Sequence, residues 1–346
     1  MSRVRRAAGA AWMRSAAMLA ACGALAAGCG DEPAGPAEGE RYEVAFERLG
    51  RLPAHQGTYT VWVHDDRDTV AVASVPSGSA NEPVPAVTFA MPLANARGVF
   101  VSVEPAVDPS SAASPTRLLA GRFDGPIAAL GFEGVATLRR PLEPDPGAHS
   151  LFTTSNNSEG YPSAENAGLW LFTLTPSRNV HGTREVKVSP LDAGWTYEGW
   201  LVWQGPPQVW ISYGKFRPDE TGLLTSRDDT GTGPFAGAED FRNAGVEDVP
   251  GEEWTSDEIA AQLGIELPGG FDLPLEVDAV DGDGRALWHH VISIEPAADL
   301  VEGPLEGEPF PVRPYENPIG AGGPGLPRTI ELVREAPSAE VRRIES

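Results

Sequence analysis

The sequence predicts an all-β protein: two tandem antiparallel β-sandwich domains behind an N-terminal lipoprotein signal and a flexible tether. Three observations carry that prediction. The 346 residues include 39 glycines and 33 prolines, which punctuate the chain too often for long helices and follow no collagen-like period. Short apolar runs rich in β-branched and aromatic residues recur between turn residues, as in antiparallel sandwiches. A strand pattern with the same landmarks occurs twice, in the same order, which is the mark of an internal repeat. With 41% apolar and 8% aromatic residues, the chain has the material for buried cores and is not a disordered tail.

Element by element, the chain opens with an address. Arg3, Arg5, Arg6 and Arg14 precede an uncharged, Ala- and Leu-rich run from Ser15 to Gly28. A basic start, a short apolar core and small residues before a break describe a secretory signal peptide over residues 1–28. The run is too short for a spanning helix, which needs about 20 apolar residues. Leu25-Ala26-Ala27-Gly28-Cys29 resembles the lipobox of bacterial lipoproteins, which implies that Cys29 is acylated and becomes the mature N-terminus. Leu25 stands one place earlier than the usual pattern. Leu19-Ala20-Ala21-Cys22 fits that spacing better but leaves only seven residues after Arg14, short for an apolar core, so the reading favours Cys29 over Cys22. The remaining alternative is an ordinary cleaved signal with bystander cysteines. Against it, secreted chains seldom keep lone thiols.

Gly30, not Asp, follows Cys29. In Gram-negative lipoproteins an Asp there resembles an inner-membrane retention signal, so Gly30 points to the outer membrane, with a periplasm-facing membrane leaflet as the other expected place of anchoring. Residues 29–41 carry no apolar periodicity and read as a lipidated, solvated tether. The formal charge is −23, and losing the four signal arginines takes it to −27. So acidic a chain argues against nucleic acid or anionic lipid as the main ligand. Both cysteines lie before residue 30, which excludes a disulfide framework or a Cys-ligated metal in the body.

The body repeats itself. Tyr59 and Trp62 in Gly-Thr-Tyr-Thr-Val-Trp-Val match Tyr197 and Trp200 in Thr-Tyr-Glu-Gly-Trp-Leu-Val, each followed by a turn and a second strand. Residues 101–108, Val-Ser-Val-Glu-Pro-Ala-Val-Asp, match 292–299, Ile-Ser-Ile-Glu-Pro-Ala-Ala-Asp, at five of eight positions. The second copy is longer between its two blocks, with the insertion expected at 218–275. The first domain is therefore expected at 42–150 and the second at 165–335, with residues 336–346 as a disordered tail. Strands are expected at 43–52, 99–103, 135–138, 168–172, 184–188, 288–294 and 329–333. Thr255-Ser256-Asp257-Glu258 is a capping box and starts a helix of at most two turns.

A Tyr-x-x-Trp strand, then a turn and strand containing Gly214-Lys215-Phe216, then an apolar strand ending Ser-Ile-Glu295-Pro296 resembles the extracytoplasmic C-terminal domain of anti-sigma-K factors (RskA). Glu104-Pro105, followed by Ser110, Ser111 and Ser114-Pro115, fits the first copy. The resemblance covers about residues 42–123 and 184–315 and implies non-catalytic β-sandwiches. Anti-sigma factors also need a cytosolic sigma-binding domain and a spanning helix. Here an export signal stands first and no later run reaches about 18 apolar residues, so sigma binding is not carried over.

The chemistry-bearing motifs are few. Six histidines include no HExxH and no i,i+4 pair, and His289-His290 on a strand point to opposite faces. Gly-x-Ser-x-Gly, P-loop and dinucleotide fingerprints are missing. Asp278, Asp281 and Asp283 sit on a Gly-rich turn, but the late Glu of a calcium loop is not there, so a hairpin accounts for them. Trp195, Trp200, Trp203 and Trp210 fall within sixteen residues. Alternation puts Trp200 and Trp203 on opposite faces, which makes Trp203 and Trp210 the candidate exposed aromatics for a sugar ring or a partner. Glu104 and Glu295 recur at strand ends and read as structural. The expected function is a non-catalytic envelope module, not an enzyme, with no cofactor and no metal. Its expected partners are the membrane, through the lipid, and an envelope protein or a glycan. A carbohydrate-binding surface module is the alternative.

Overall fold

Period-two alternation explains the first strand: Tyr42 and Val44 are buried between the more exposed Arg41, Glu43 and Ala45, so one face of a pleated strand meets a core. The computed structural model describes residues 36–106, 112–132, 148–152, 168–173, 188–192, 194–216, 251–253, 267–271, 275–296, 309–320, 328–330 and 336–344. The signal peptide, Cys22, Cys29, the expected strand at 135–138, all but Val188 of the one at 184–188, most of the insertion and the capping box lie outside these residues. The strands are β1 (Arg41–Glu47), β2 (Thr58–His64), β3 (Thr69–Ser74), β4 (Val87–Ala90), β5 (Gly98–Glu104), β6 (Arg117–Asp124), β7 (Ile127–Leu130), β8 (Ala148–Phe152), β9 (Gly168–Thr173), β10 (Trp195–Trp203), β11 (Val209–Phe216), β12 (Gly251–Glu253), β13 (Trp288–Pro296), β14 (Tyr315–Pro318), β15 (Arg328–Thr329) and β16 (Ser338–Arg343). The fold is all-β. Among the described residues there is no α-helix, and Ala54–Gln56 and Pro268–Gly270 form short 3-10 turns.

The first half forms an eight-stranded sheet in the order β3-β2-β5-β6-β7-β16-β1-β4. Its edge strands β3 and β4 approach one another, so the sheet curls back on itself. The second half contributes a four-stranded sheet, β11-β10-β13-β14, and β12-β9-β8-β15 form another. Every strand pairing among the described residues is antiparallel.

The repeat seen in the sequence is a repeat of topology. The order β3-β2-β5-β6 is matched by β11-β10-β13-β14. Register agrees residue by residue: Thr58 faces Glu104 and Tyr59 faces Val103, as Thr196 faces Glu295 and Tyr197 faces Ile294. A β-bulge breaks the ladder between Val61 and Trp62, and another at the matching place between Gly199 and Trp200. Bulges re-aim side chains, so the two copies share their irregularity as well as their pattern. The halves also touch. Phe310 packs edge-on against Tyr59 of the first half and Trp195 of the second, at centroid distances of 6.1 and 5.6 Å. Trp195 Nε1 donates to the Arg117 carbonyl at 2.9 Å. The buried apolar residues of both halves, from Tyr42 and Val101 to Tyr197 and Ile294, make one contiguous cluster.

Two expectations need correction. The disordered tail expected at 336–346 is corrected over its described residues, 336–344: β16 runs between β7 and β1, with Ala339 and Val341 buried. The alternation in Ser-Ala-Glu-Val-Arg-Arg gives that strand one apolar face, and its backbone completes the ladder of both neighbours. The first half is therefore closed by the last strand, and residues 42–150 do not by themselves contain it. The strand expected at 43–52 stops at Glu47, because Arg48 takes a left-handed φ of 56° and turns the chain. Leu49 and Leu52 still reach the core.

Candidate functional site

The residues that recur in both copies converge on one device. On β2 and β5 the Trp62 indole Nε1 donates to Ser102 Oγ at 2.7 Å, and Ser102 Oγ donates to Glu104 Oε1. The Glu104 carboxylate then accepts the Ser114 backbone N–H at 3.1 Å. On β10 and β13 the indole of Trp200 donates to Ser293 Oγ at 2.8 Å, Ser293 Oγ to Glu295 Oε1 at 2.5 Å, and the Phe310 N–H to the same carboxyl at 2.9 Å. Each relay thus clamps the chain that follows the Glu-Pro strand end back onto its own sheet. Register explains why these residue types are required. Ser and Glu two apart on a strand share a face, and the bulge beside the Trp brings its ring over them. All six side chains are buried, where an unpaired polar group is costly. Glu104 and Glu295, read from the sequence as strand ends, each hold the following loop to the sheet.

The copies differ at one position with chemical consequence. Thr60 of β2 corresponds to Glu198 of β10: each stands opposite the relay serine, Ser102 or Ser293. Glu198 is buried, accepts Ser212 Oγ at 2.6 Å, and is the register partner of Lys215 on β11. The second half therefore buries two carboxyls, Glu198 and Glu295. Burial, followed by the charge of Glu198, pushes the Glu295 carboxyl up to about 8. Burial also raises Glu198, against the opposing pull of Lys215 and the Ser212 hydroxyl. Reading one copy at a time misses this pair. The signal lay in aligning the copies, where a Glu replaces a neutral Thr.

The two candidate aromatics are not brought together. Trp203 packs on the core side with Trp288 and Phe271, at 5.4 and 5.5 Å. Trp210 lies on the opposite face, edge-on to Trp200 at 6.1 Å, with the Arg313 guanidinium 4.6 Å over its ring. The first half carries the same feature, Arg117 over Phe100 at 4.3 Å. Both tryptophans are half-buried.

His290 is fully buried, and burial lowers its imidazole to about 3, so it is neutral across the physiological range. His289, on the other face, lies 3.5 Å from Glu316. Asp281 closes a hairpin: its Oδ1 accepts the Asp283 and Arg285 backbone N–H groups, each at 2.8 Å. These bonds, the one from Arg285 first, lower its carboxyl. Among the described residues no cluster of His, Cys, Asp and Glu is placed to hold a metal ion, and no helix is long and apolar enough to cross a membrane.

A groove of about 550 Å³ runs along the meeting of the halves, lined by Phe46, Leu49, Pro83, Pro311, Arg313 and Ala336 among others. Its cations are engaged: Arg48 Nη2 donates to Ser338 Oγ at 2.8 Å, and Arg313 Nη2 to the Pro309 carbonyl at 2.9 Å. Comparison with family models, with curated proteins and with solved structures returns no match in any of the three.

Proposed function

We propose that the chain is a lipid-anchored, non-catalytic module of the bacterial cell envelope that works by contact with an envelope partner. Its resemblance to the extracytoplasmic domains of anti-sigma-K factors supports a sensory or interaction role without sigma binding. One observation carries the non-catalytic reading: the polar residues that recur in both halves, Trp62–Ser102–Glu104 and Trp200–Ser293–Glu295, are each committed to holding a strand end against the following loop. Residues retained through duplication for such a purpose serve the scaffold. The acidic body and the Gly/Pro-rich segment after Cys29 support an anchored, solvated domain, because a net charge far from zero keeps a protein soluble.

The alternative, a sugar-binding surface, draws its support from the half-buried Trp203 and Trp210. Their positions on opposite faces of one sheet leave each to act alone.

Metabolic labelling with a radioactive or clickable fatty acid tests the anchor. Label is expected in the full chain and in Cys22→Ser, and it should vanish in Cys29→Ser. An unlabelled chain that keeps its first residues would overturn the anchoring. Crosslinking in intact cells tests the contact role: a discrete partner band is the expected result.

A further inference from the structure

The second relay carries a charge problem that the first does not. Glu198 and Glu295 are only 6% and 8% exposed. Glu198 faces Ser293 across the β10–β13 ladder, and Ser293 in turn donates to Glu295, so the two carboxyls share one side of the sheet with a serine between them. Among the described residues, the following charged or titratable groups face them. From β11 comes Lys215, whose ammonium acts on both carboxyls. From the segment leading into β14 comes Arg313, whose guanidinium lies against the Pro309 and Phe310 carbonyls and the Trp210 ring. From β2 of the first half comes the buried phenol of Tyr59, which feels Glu295. Farther along the same face His289 pairs with Glu316, while buried His290 points to the other side. Two buried carboxyls thus stand against the ammonium of Lys215, the Arg313 guanidinium being turned to the Pro309 and Phe310 carbonyls and the Trp210 ring. Like charges at such a site disfavour double ionisation, and a buried uncompensated charge is strongly destabilising.

What the site holds is also particular. Glu295 accepts the Phe310 N–H through both oxygens, at 2.9 and 3.2 Å, and the Phe310 ring fills the seam between Tyr59 and Trp195. We propose that Glu198 and Glu295 form a proton-operated latch on residues 309–313: a proton held between the two carboxyls keeps Phe310 seated between the halves, and its release to water frees that segment. With the proton present, one carboxylate faces Lys215 and the other carboxyl is neutral. Once it leaves, two carboxylates repel across Ser293 inside the protein; the Phe310 N–H favours the ionised carboxyl but does not offset its burial, and lifting residues 309–313 admits the water that does. The first half has Thr60 in place of the second acid, so its clamp on Ser114 is not built to respond. The latch does not rest on the anchoring reading, and it gives a sensory module something to sense.

Hydrogen–deuterium exchange on the full chain tests it, following peptides that contain Phe310 at pH 6 and pH 9 after correction for intrinsic exchange. Protection of the Phe310 region is expected to fall by about tenfold or more between the two pH values, as linkage to a buried acid requires, while the Ser114 peptide serves as internal reference. Glu295→Gln should abolish the difference. Glu198→Thr, which copies the first half, should shrink it and keeps the test open should Glu295→Gln fail to fold. Equal protection at both pH values in the unmodified chain overturns the latch, as does an undiminished loss in either variant.

Discussion

Ser102 and Ser293 show how much a single hydroxyl can organise. Each accepts an indole N–H and donates to a carboxyl inside the protein. Replacing Ser293 by Ala leaves the Trp200 donor and one Glu295 acceptor unsatisfied, and should cost about 1–3 kcal/mol. Chemical denaturation would read this as a lower midpoint with an unchanged slope. Ser102→Ala should match it, because the geometry is the same. Two buried ionisable groups set the response to pH. Glu295 keeps its proton to about 8 in the folded chain, against the usual 4.5. Its contribution is therefore complete below about 4.5 and is lost as pH rises toward 8. His290, lowered to about 3 from 6.5, contributes fully above about 6.5 and loses that contribution as pH falls toward 3. In the window between about 4.5 and 6.5 the two slopes oppose each other. Urea midpoints should form a plateau there and fall on both sides. Glu295→Gln should remove the alkaline limb and His290→Phe the acid limb. A limb that survives its own substitution would assign it to other groups.

At the scale of elements, much was legible because strand patterning is local. The Tyr-x-x-Trp strands, the Ser-x-Glu-Pro strands, the strand at Gly168–Thr173 and the Asp281–Gly284 hairpin lie where alternation and turn residues put them. β6 and β7 went unread, although Asp124-Gly125 between Leu118–Phe123 and Ile127–Leu130 is a hairpin signal; Gly125 has the positive φ of 59° that such a turn needs. β16 was illegible for a different reason. Its six residues hold only two apolar side chains, and the strand exists because β1 and β7 each present it with an unpaired edge. No local pattern carries that information. It follows that β16 matters beyond its length. Deleting residues 337–346 should unpair both neighbours and abolish cooperative melting of the first half, as measured by circular dichroism. Val341→Ala alone, in a site with no exposure, should cost about 2–3 kcal/mol through the cavity it leaves.

For the whole molecule, the repeated strand pattern of the sequence is met by a repeated strand order in the fold. Two copies of one four-strand order meet at Phe310, Tyr59 and Trp195, and their apolar residues form a common cluster. A shared core implies shared cooperativity. Calorimetry of the chain should give one transition with matching calorimetric and van't Hoff enthalpies. Phe310→Ala, which empties the seam at a cost of about 3–5 kcal/mol, is the substitution expected to split it into two. The buried acid pair was beyond a linear reading, because it depends on which strand lies beside which. Only once Glu198 is known to face Ser293 does its difference from Thr60 acquire meaning.

The pairing of β1 with β16 sets a timetable for the molecule's birth. The sheet that starts at Arg41 receives the strand between β7 and β1 only when residues some three hundred positions later have been synthesised. Until then β1 and β7 must wait with bare edges. A nascent chain cannot finish its first half early: that half stays open until β16 arrives.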